Sequence, residues 1–555
     1  MSNAETRSPP DPFDRVSDWC NPILVKEVRQ ALKSRAFVTT FLLLLLGSWL
    51  ISAFGLLAAG SNVEYGSVGQ AFFTFYFGVL CVALGVVVPF GAFRSLLNER
   101  DDNTYELLSI TTLSPGQIVR GKWACAIVQT LLFYSAIAPF IAFTALLQGF
   151  DFGQAAVLLV AAFYGSTALS ITSLMLSTTV RQRVWQGFLS MALIAALCML
   201  VAMILSGLSS LMMFPLPLDK PEFWWAIAAL VVVSATYQWL FYQIAAARLT
   251  FESENRSTGI RWTVSGQFWL LWLLAAAYHW YRGTAPRVDL VWFLTGASGV
   301  HLAMVGLAFS AEPDGLSRRV RRTLPRRFWL RPPLVPLLPG GARGYLFTLF
   351  HAAAMLVLVV LVSAWSNVSV TGGVRATFDN LVLLNEAAWS RHILWFGIAI
   401  VCYVAIYSGL AASFLRWGRA ILPTFHAAHA RTVIVIVVAV GFLVPMGLRI
   451  GRFVPYNDAS ISDVFFPFWL LIDISTGIAE AVQIWVVAGA ALAVIGLNVP
   501  PMVRGIREIL AGPHRSASRP HLSPGVVATG GTNDRPEQAG DRPSEREPLK
   551  TDSQA

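Results

Sequence analysis

The chain has 555 residues, 55% of them hydrophobic and only 13% charged, with a mean hydropathy of +0.60. A soluble core with a solvated surface cannot accommodate that balance, so composition excludes an ordinary globular domain and points to an all-α polytopic membrane protein. A net charge of +10 would suggest nucleic acid in a soluble protein, but here topology accounts for the placement of the basic residues.

In chain order, residues 1–36 form a largely polar N-terminal segment. Asn21 to Ala36, NPILVKEVRQALKSRA, opens with Asn21 as N-cap and Pro22 at the first helical position. Leu24, Val28 and Leu32 recur every fourth residue on one helical face, and Lys26, Arg29 and Lys33 cluster on the opposite one. The pattern reads either as an interfacial helix on the inner leaflet or as a basic flank that orients the first span. No small-residue cleavage site clearly follows the first apolar run, which therefore reads as a retained span.

Runs long enough to cross a hydrocarbon core of about 30 Å begin near Phe37, Gln70, Trp123, Gly153, Gly187 and Trp224, then near Trp262, Val288, Tyr345, Ile393, Thr432 and Thr476. Twelve spans are expected, six in residues 37–247 and six in 248–498. Residues 499–555 are expected to be a disordered cytoplasmic tail: beyond Arg507 the chain is rich in Gly, Pro, Ser, Asp and Arg and has no Phe, Tyr or Trp. With the N-terminus cytoplasmic, only Lys220, Arg282, Arg287, Arg375, Arg391, Arg449 and Arg452 fall outside, and the other 34 of the 41 Lys and Arg residues fall inside. That asymmetry predicts both termini in the cytoplasm; the membrane is expected to be a bacterial inner membrane. The most basic loop, 312–344, carries Arg318, Arg319, Arg321, Arg322, Arg326, Arg327, Arg331 and Arg343 beside Phe328 and Trp329, which suits an anionic leaflet better than nucleic acid.

Leu113 to Trp123, LSPGQIVRGKW, holds two near-misses of nucleotide-binding motifs. A phosphate-cradling GxxxxGK loop needs a following Ser or Thr for magnesium and must lie between a strand and a helix. Gly116, Gly121 and Lys122 have the spacing, but Trp123 takes the hydroxyl position and an apolar span follows. The LSGGQ-like run loses a backbone donor at Pro115. Both matches read as coincidences. What the residues do specify is a capping box, with Ser114 as N-cap and Gln117 three positions on; Asn103 and Glu106 make a second candidate box upstream.

The run ERDDNTYELLSITTLSPGQIVRGK, Glu99 to Lys122, resembles the E-x-x-x-x-T-x-E-L-L-x-x-T-P-L-S-x-x-x-I-x-x-G-K segment of type-2 ABC exporter permeases. Glu99, Thr104, Glu106, Leu107, Leu108, Thr111, Leu113, Ser114, Ile118, Gly121 and Lys122 match, whereas Tyr105 stands where Leu is usual and Thr112 where Pro is common. Asn21 to Arg29 is similar to the family's N-terminal NPxLxKExR segment. The resemblance implies that this loop is a coupling helix on which a separate ABC ATPase subunit docks through Glu99, Thr104, Glu106, Leu107, Leu108, Leu113, Ser114 and Ile118. It implies a transport subunit with no catalytic, cofactor or metal residues of its own. The partners would be that ATPase and membrane lipid, with a homodimer or a second permease subunit left open, and no nucleic acid. The alternative is a secondary transporter or a non-transporting scaffold.

An aromatic-proline element precedes both the sixth and the twelfth spans, at Phe214-Pro215 and Phe466-Pro467, and hints at an internal repeat. The stretch 463–497 is too long for one span, so its first part is expected to be interfacial or re-entrant. His301 and His351 lie within spans, and Asp473 and Glu480 share a face if the last helix begins early enough. Hydrogen-bonded histidines between helices and interfacial carboxylates are favoured over a proton relay. No HExxH, GxSxG or opposed aspartate pair supports an intramembrane enzyme.

Overall fold

A computed structural model describes residues 22–60, 68–101, 113–147, 149, 151–180, 182–214, 216–251, 254–283, 288–371, 389–451, 453–454 and 460–512. Among them there is no strand. A short helix α1 (Pro22–Lys33) precedes α2 (Arg35–Ala59), with Ser34 as the N-cap that accepts from Phe37 N–H. A continuous rod follows, made of α3 (Val68–Val82), a π-helical turn (Ala83–Val87) and α4 (Val88–Asp101). Then come α5 (Pro115–Thr144), α6 (Phe152–Ser177), α7 (Arg183–Met213) and α8 (Pro221–Leu249). The second half contains α9 (Thr258–Arg282), α10 (Val288–Ser310), the short α11 (Arg318–Arg322), α12 (Gly341–Thr371), α13 (Trp389–Ile421), α14 (Ala427–Ile450), the short α15 (Pro467–Thr476) and α16 (Ala481–Leu510).

Eleven of these helices, the rod counting as one, are long and apolar enough to cross a membrane. The protein is an all-α polytopic membrane protein. The seventh expected span, near Trp262, forms as the 25-residue α9 but is not among the eleven. Its Trp, Tyr, His and Gln content supplies bulk without aliphatic hydropathy.

The last span also differs from expectation. Phe466-Pro467 starts the separate α15, and Gly477, at φ 78°, turns the chain before α16 begins at Ala481 rather than near Thr476. Asp473 and Glu480 therefore stand on different elements and share no helix face. At the other end α16 continues through Pro500 and Pro501 to Leu510, so the first part of the expected tail is helical. Two prolines ordinarily signal a stop. Here Asn498 reaches the Gly409 carbonyl at 3.2 Å, Glu508 pairs with Arg343 at 3.0 Å and Ile509 is buried, so packing holds the final turns.

Two cores organise the bundle. The larger gathers Tyr76, Leu80, Leu84, Val88, Leu96, Ile118, Phe133, Ile137, Ile171 and Leu174 from the rod, α5 and α6. The other gathers Val291, Leu294, Ala352, Met355, Val359, Ile393 and Ile400 from α10, α12 and α13. In each half the second, third and fourth long helices pack on one another, and the last packs on the third and fourth: α8 on α5 and α6, α16 on α12 and α13. Leu240 of α8 meets Val264, Phe309 and Phe347 across the seam. Helices such as α2 and α14 leave Leu42, Leu43, Leu46, Val435, Ile436 and Leu443 exposed, as suits surfaces solvated by lipid tails.

Candidate functional site

The site lies at the end of the bundle where α1 meets the end of α4 and the start of α5. Pro89 has no N–H to give to Gly85, and the helix widens just before it, with Val88 N–H bonding back to Ala83. The displaced Leu84 carbonyl accepts from Ser166 Oγ of α6 at 3.0 Å. Gly85 leaves room for α7: a Cβ there would lie 2.5 Å from Val201 Cγ2. This local widening sets the course of α4 toward Glu99.

Lys122, in the third turn of α5, is 2% exposed. Its ammonium meets Glu27 Oε1 of α1 at 2.8 Å, Glu99 Oε2 of α4 at 3.1 Å and the Ser95 carbonyl at 3.2 Å. The ammonium donates to Glu27 and to the Ser95 carbonyl and faces a second carboxylate, Glu99, which together offset the cost of burying the charge. Lys26 adds an outer contact to Glu99 Oε1 at 3.5 Å. The cluster thus fastens α1 to both roots of the loop between α4 and α5. Beside it opens a cleft of about 780 Å³ whose walls include Phe37, Val86, Val87, Phe90 and Ile194, with Arg94, Lys26 and Lys122 among its polar groups.

This geometry revises the reading of α1. Its buried stripe is Ile23 and Glu27, while Leu32 is exposed, because the ion pair with Lys122 draws the Glu27 face onto α5. Sequence reasoning missed Glu27; the signal was a lone carboxylate within an otherwise basic helix. Of the expected docking residues, Thr104, Glu106, Leu107 and Leu108 lie outside the described residues, as does the Asn103 box. Glu99 is engaged by Lys26 and Lys122, and Ile118 is turned into the core, so neither offers a free docking face. Leu113 packs at the edge of the same core, and Ser114 is exposed. The capping box is present: Ser114 Oγ accepts from Gln117 N–H, and Gln117 Oε1 accepts from Ser114 N–H at 2.8 Å. It starts the long α5. The Gly116 to Lys122 run is helical, not a loop, and Lys122 is occupied by carboxylates.

The second half has its own clusters at the corresponding helix ends. Arg261, fully buried near the start of α9, meets Glu312 Oε2 at 2.7 Å and the carbonyls of Pro336, Leu338 and Gly340 at 2.9, 2.5 and 3.1 Å. Glu312 also accepts from Gly340 N–H at 3.0 Å. Arg343, at the start of α12, pairs with Glu508.

Within the spans, His301 Nδ1 lies 3.0 Å from Tyr237 Oη, and His351 contacts Ser265 Oγ and the Phe347 carbonyl, each at 2.9 Å. At the opposite end of the bundle, Arg449 and Asp463 form a buried pair at 2.5 Å, with Arg449 over the Trp469 ring. Asp473 of α15 lies beside them. Burial, and then the Asp463 carboxylate, push its pKa up to about 7.

Comparisons of the chain with family models, curated proteins and solved structures gave no match.

Proposed function

We propose that this chain is the membrane-spanning permease subunit of an ABC exporter, driven by ATP hydrolysis on a separate subunit. One observation supports the reading above others. Residues from both family-like segments, Lys26 and Glu27 from the first and Glu99 and Lys122 from the second, meet in one ion cluster. A coupling loop must move helices, not merely bind. With both roots clamped to each other and to α1, a push on residues 102–112 displaces α1, α4 and α5 together and acts on the walls of the adjacent cleft. In this reading the α1 end is cytoplasmic, as the charge asymmetry requires, and the docking face narrows to Thr104, Glu106, Leu107 and Leu108 with Leu113 and Ser114 at its edge.

Each leucine anchor seated in a partner groove contributes about 1.5–3 kcal/mol. The double variant Leu107→Asp, Leu108→Asp is expected to release the ATPase from the detergent-solubilised complex while the permease stays folded and inserted. Co-purification at the wild-type ratio with undiminished stimulation of hydrolysis would overturn the docking assignment. Reporter fusions test sidedness: a phosphatase fused at Gly340 is expected to be inactive, and a cytoplasm-only fluorescent fusion at the C-terminus to be bright.

A further inference from the structure

The arginines of the loop between α10 and α12 fall into two sets that the sequence could not separate. One set is turned inward. Arg321 and Arg343 share Glu508 at 2.5 and 3.0 Å, and Arg331 donates to the carbonyls of Pro325, Arg326 and Leu510 at 2.9, 2.7 and 2.8 Å. Beneath them Val320, Leu324, Val335, Leu338 and Ile509 form a small core of their own. The loop is therefore a folded platform on the end of α16, not a basic linker.

The other set is turned outward. Arg318, Arg322, Arg326 and Arg327 are exposed and form no ion pair among the described residues, and Arg319 is exposed beside Glu254. Next to them a 3₁₀ turn at Phe328–Leu330 presents Phe328 and Trp329, 61% and 65% exposed. Two aromatic rings held in water beside unpaired cations are costly unless an interface takes both. The platform hangs between α10 and α12, both among the apolar helices, which keeps it at the level where chains enter a bilayer.

We infer that the outer face of this platform binds the phosphate headgroups of anionic lipids in the adjacent leaflet. Arg318, Arg322, Arg326 and Arg327 supply paired N–H donors to phosphate oxygens, and Phe328 and Trp329 enter the headgroup layer. The inward arginines have no part in lipid contact; they hold the platform's shape. A membrane is favoured over a soluble partner because the exposed cations and the two exposed rings lie together on one loop that joins two apolar helices.

The full-length protein tests this in nanodiscs of phosphatidylcholine alone or of phosphatidylcholine mixed with phosphatidylglycerol. Tryptic cleavage after Arg318, Arg322, Arg326 and Arg327 is expected to be at least about fivefold slower in the phosphatidylglycerol discs, with the protection lost at high salt. By native mass spectrometry, the variant with all four replaced (Arg318→Gln, Arg322→Gln, Arg326→Gln, Arg327→Gln) is expected to lose most of the wild-type preference for phosphatidylglycerol. Trp329→Ser is expected to lose less. Equal cleavage in both discs, an unchanged lipid preference in the fourfold variant, or protection that requires an added soluble protein or nucleic acid would each overturn the inference.

Discussion

In the first half a lysine holds the roots of the loop after the second long helix; in the second half arginines hold the corresponding loop. Lys122 is a compact charge held between carboxylates from two different helices, donating to Glu27 and lying 3.1 Å from Glu99, so it joins α1, α4 and α5. Arg261 spreads its donors over a plane, meeting one carboxylate and three carbonyls of a single chain segment, so it folds that segment against α9. The difference is one of side-chain geometry more than of charge. A point charge clamps separate helices to one another, and a fork folds one segment into a closed platform. The long helices pack in the same order around both clusters.

The largest expected effect breaks the second cluster. Arg261→Ala leaves Glu312 and three carbonyls without their buried donor and should cost about 3–5 kcal/mol, read as a fall in the thermal unfolding midpoint in detergent. Arg261→Lys keeps the charge but not the fork, and is expected to recover less than half of that loss. Full recovery by lysine would show that geometry does not separate the two halves.

Next, Lys122→Met is expected to cost about 3 kcal/mol, the lower end of the range for a broken buried pair, because Glu27 and Glu99 sit at a cleft through which water can enter. Hydrogen exchange should rise selectively in Pro22–Lys33 and at the end of α4. Exchange that rises only within α5 would deny that the cluster clamps α1.

The opposite end of the bundle should respond to pH. Asp473 has its pKa raised from 3.8 to about 7, so its contribution is fully present below 3.8 and is lost as pH rises through about 7, where the carboxyl ionises beside Asp463. Asp473→Asn should flatten this dependence in the thermal midpoint measured across that window. A wild-type midpoint that rises over the same window would carry the wrong sign.

The smallest effect is at the loop's edge. Ser114→Ala removes an exposed N-cap and should cost about 1 kcal/mol, with faster amide exchange confined to the first turn of α5.

Long-range composition and local chemistry were legible in the sequence. Apolar runs located nearly every long helix because a bilayer demands length and hydropathy from each segment by itself, and the Ser114–Gln117 box was readable because both its partners lie within one turn. Hydropathy located α9 but overstated its apolar character, and the end of α16 was read too early because prolines signal locally while Glu508 and Ile509 act through distant partners. Glu27 and Lys122 are 95 residues apart in the chain, and no periodicity couples them. Which carboxylate neutralises which cation, which arginines turn inward and which face of α1 is buried depend on helices brought together from separate segments. Those choices belong to the tertiary structure, since a buried charge must find its partner in space, whereas hydropathy and capping are settled among neighbours along the chain.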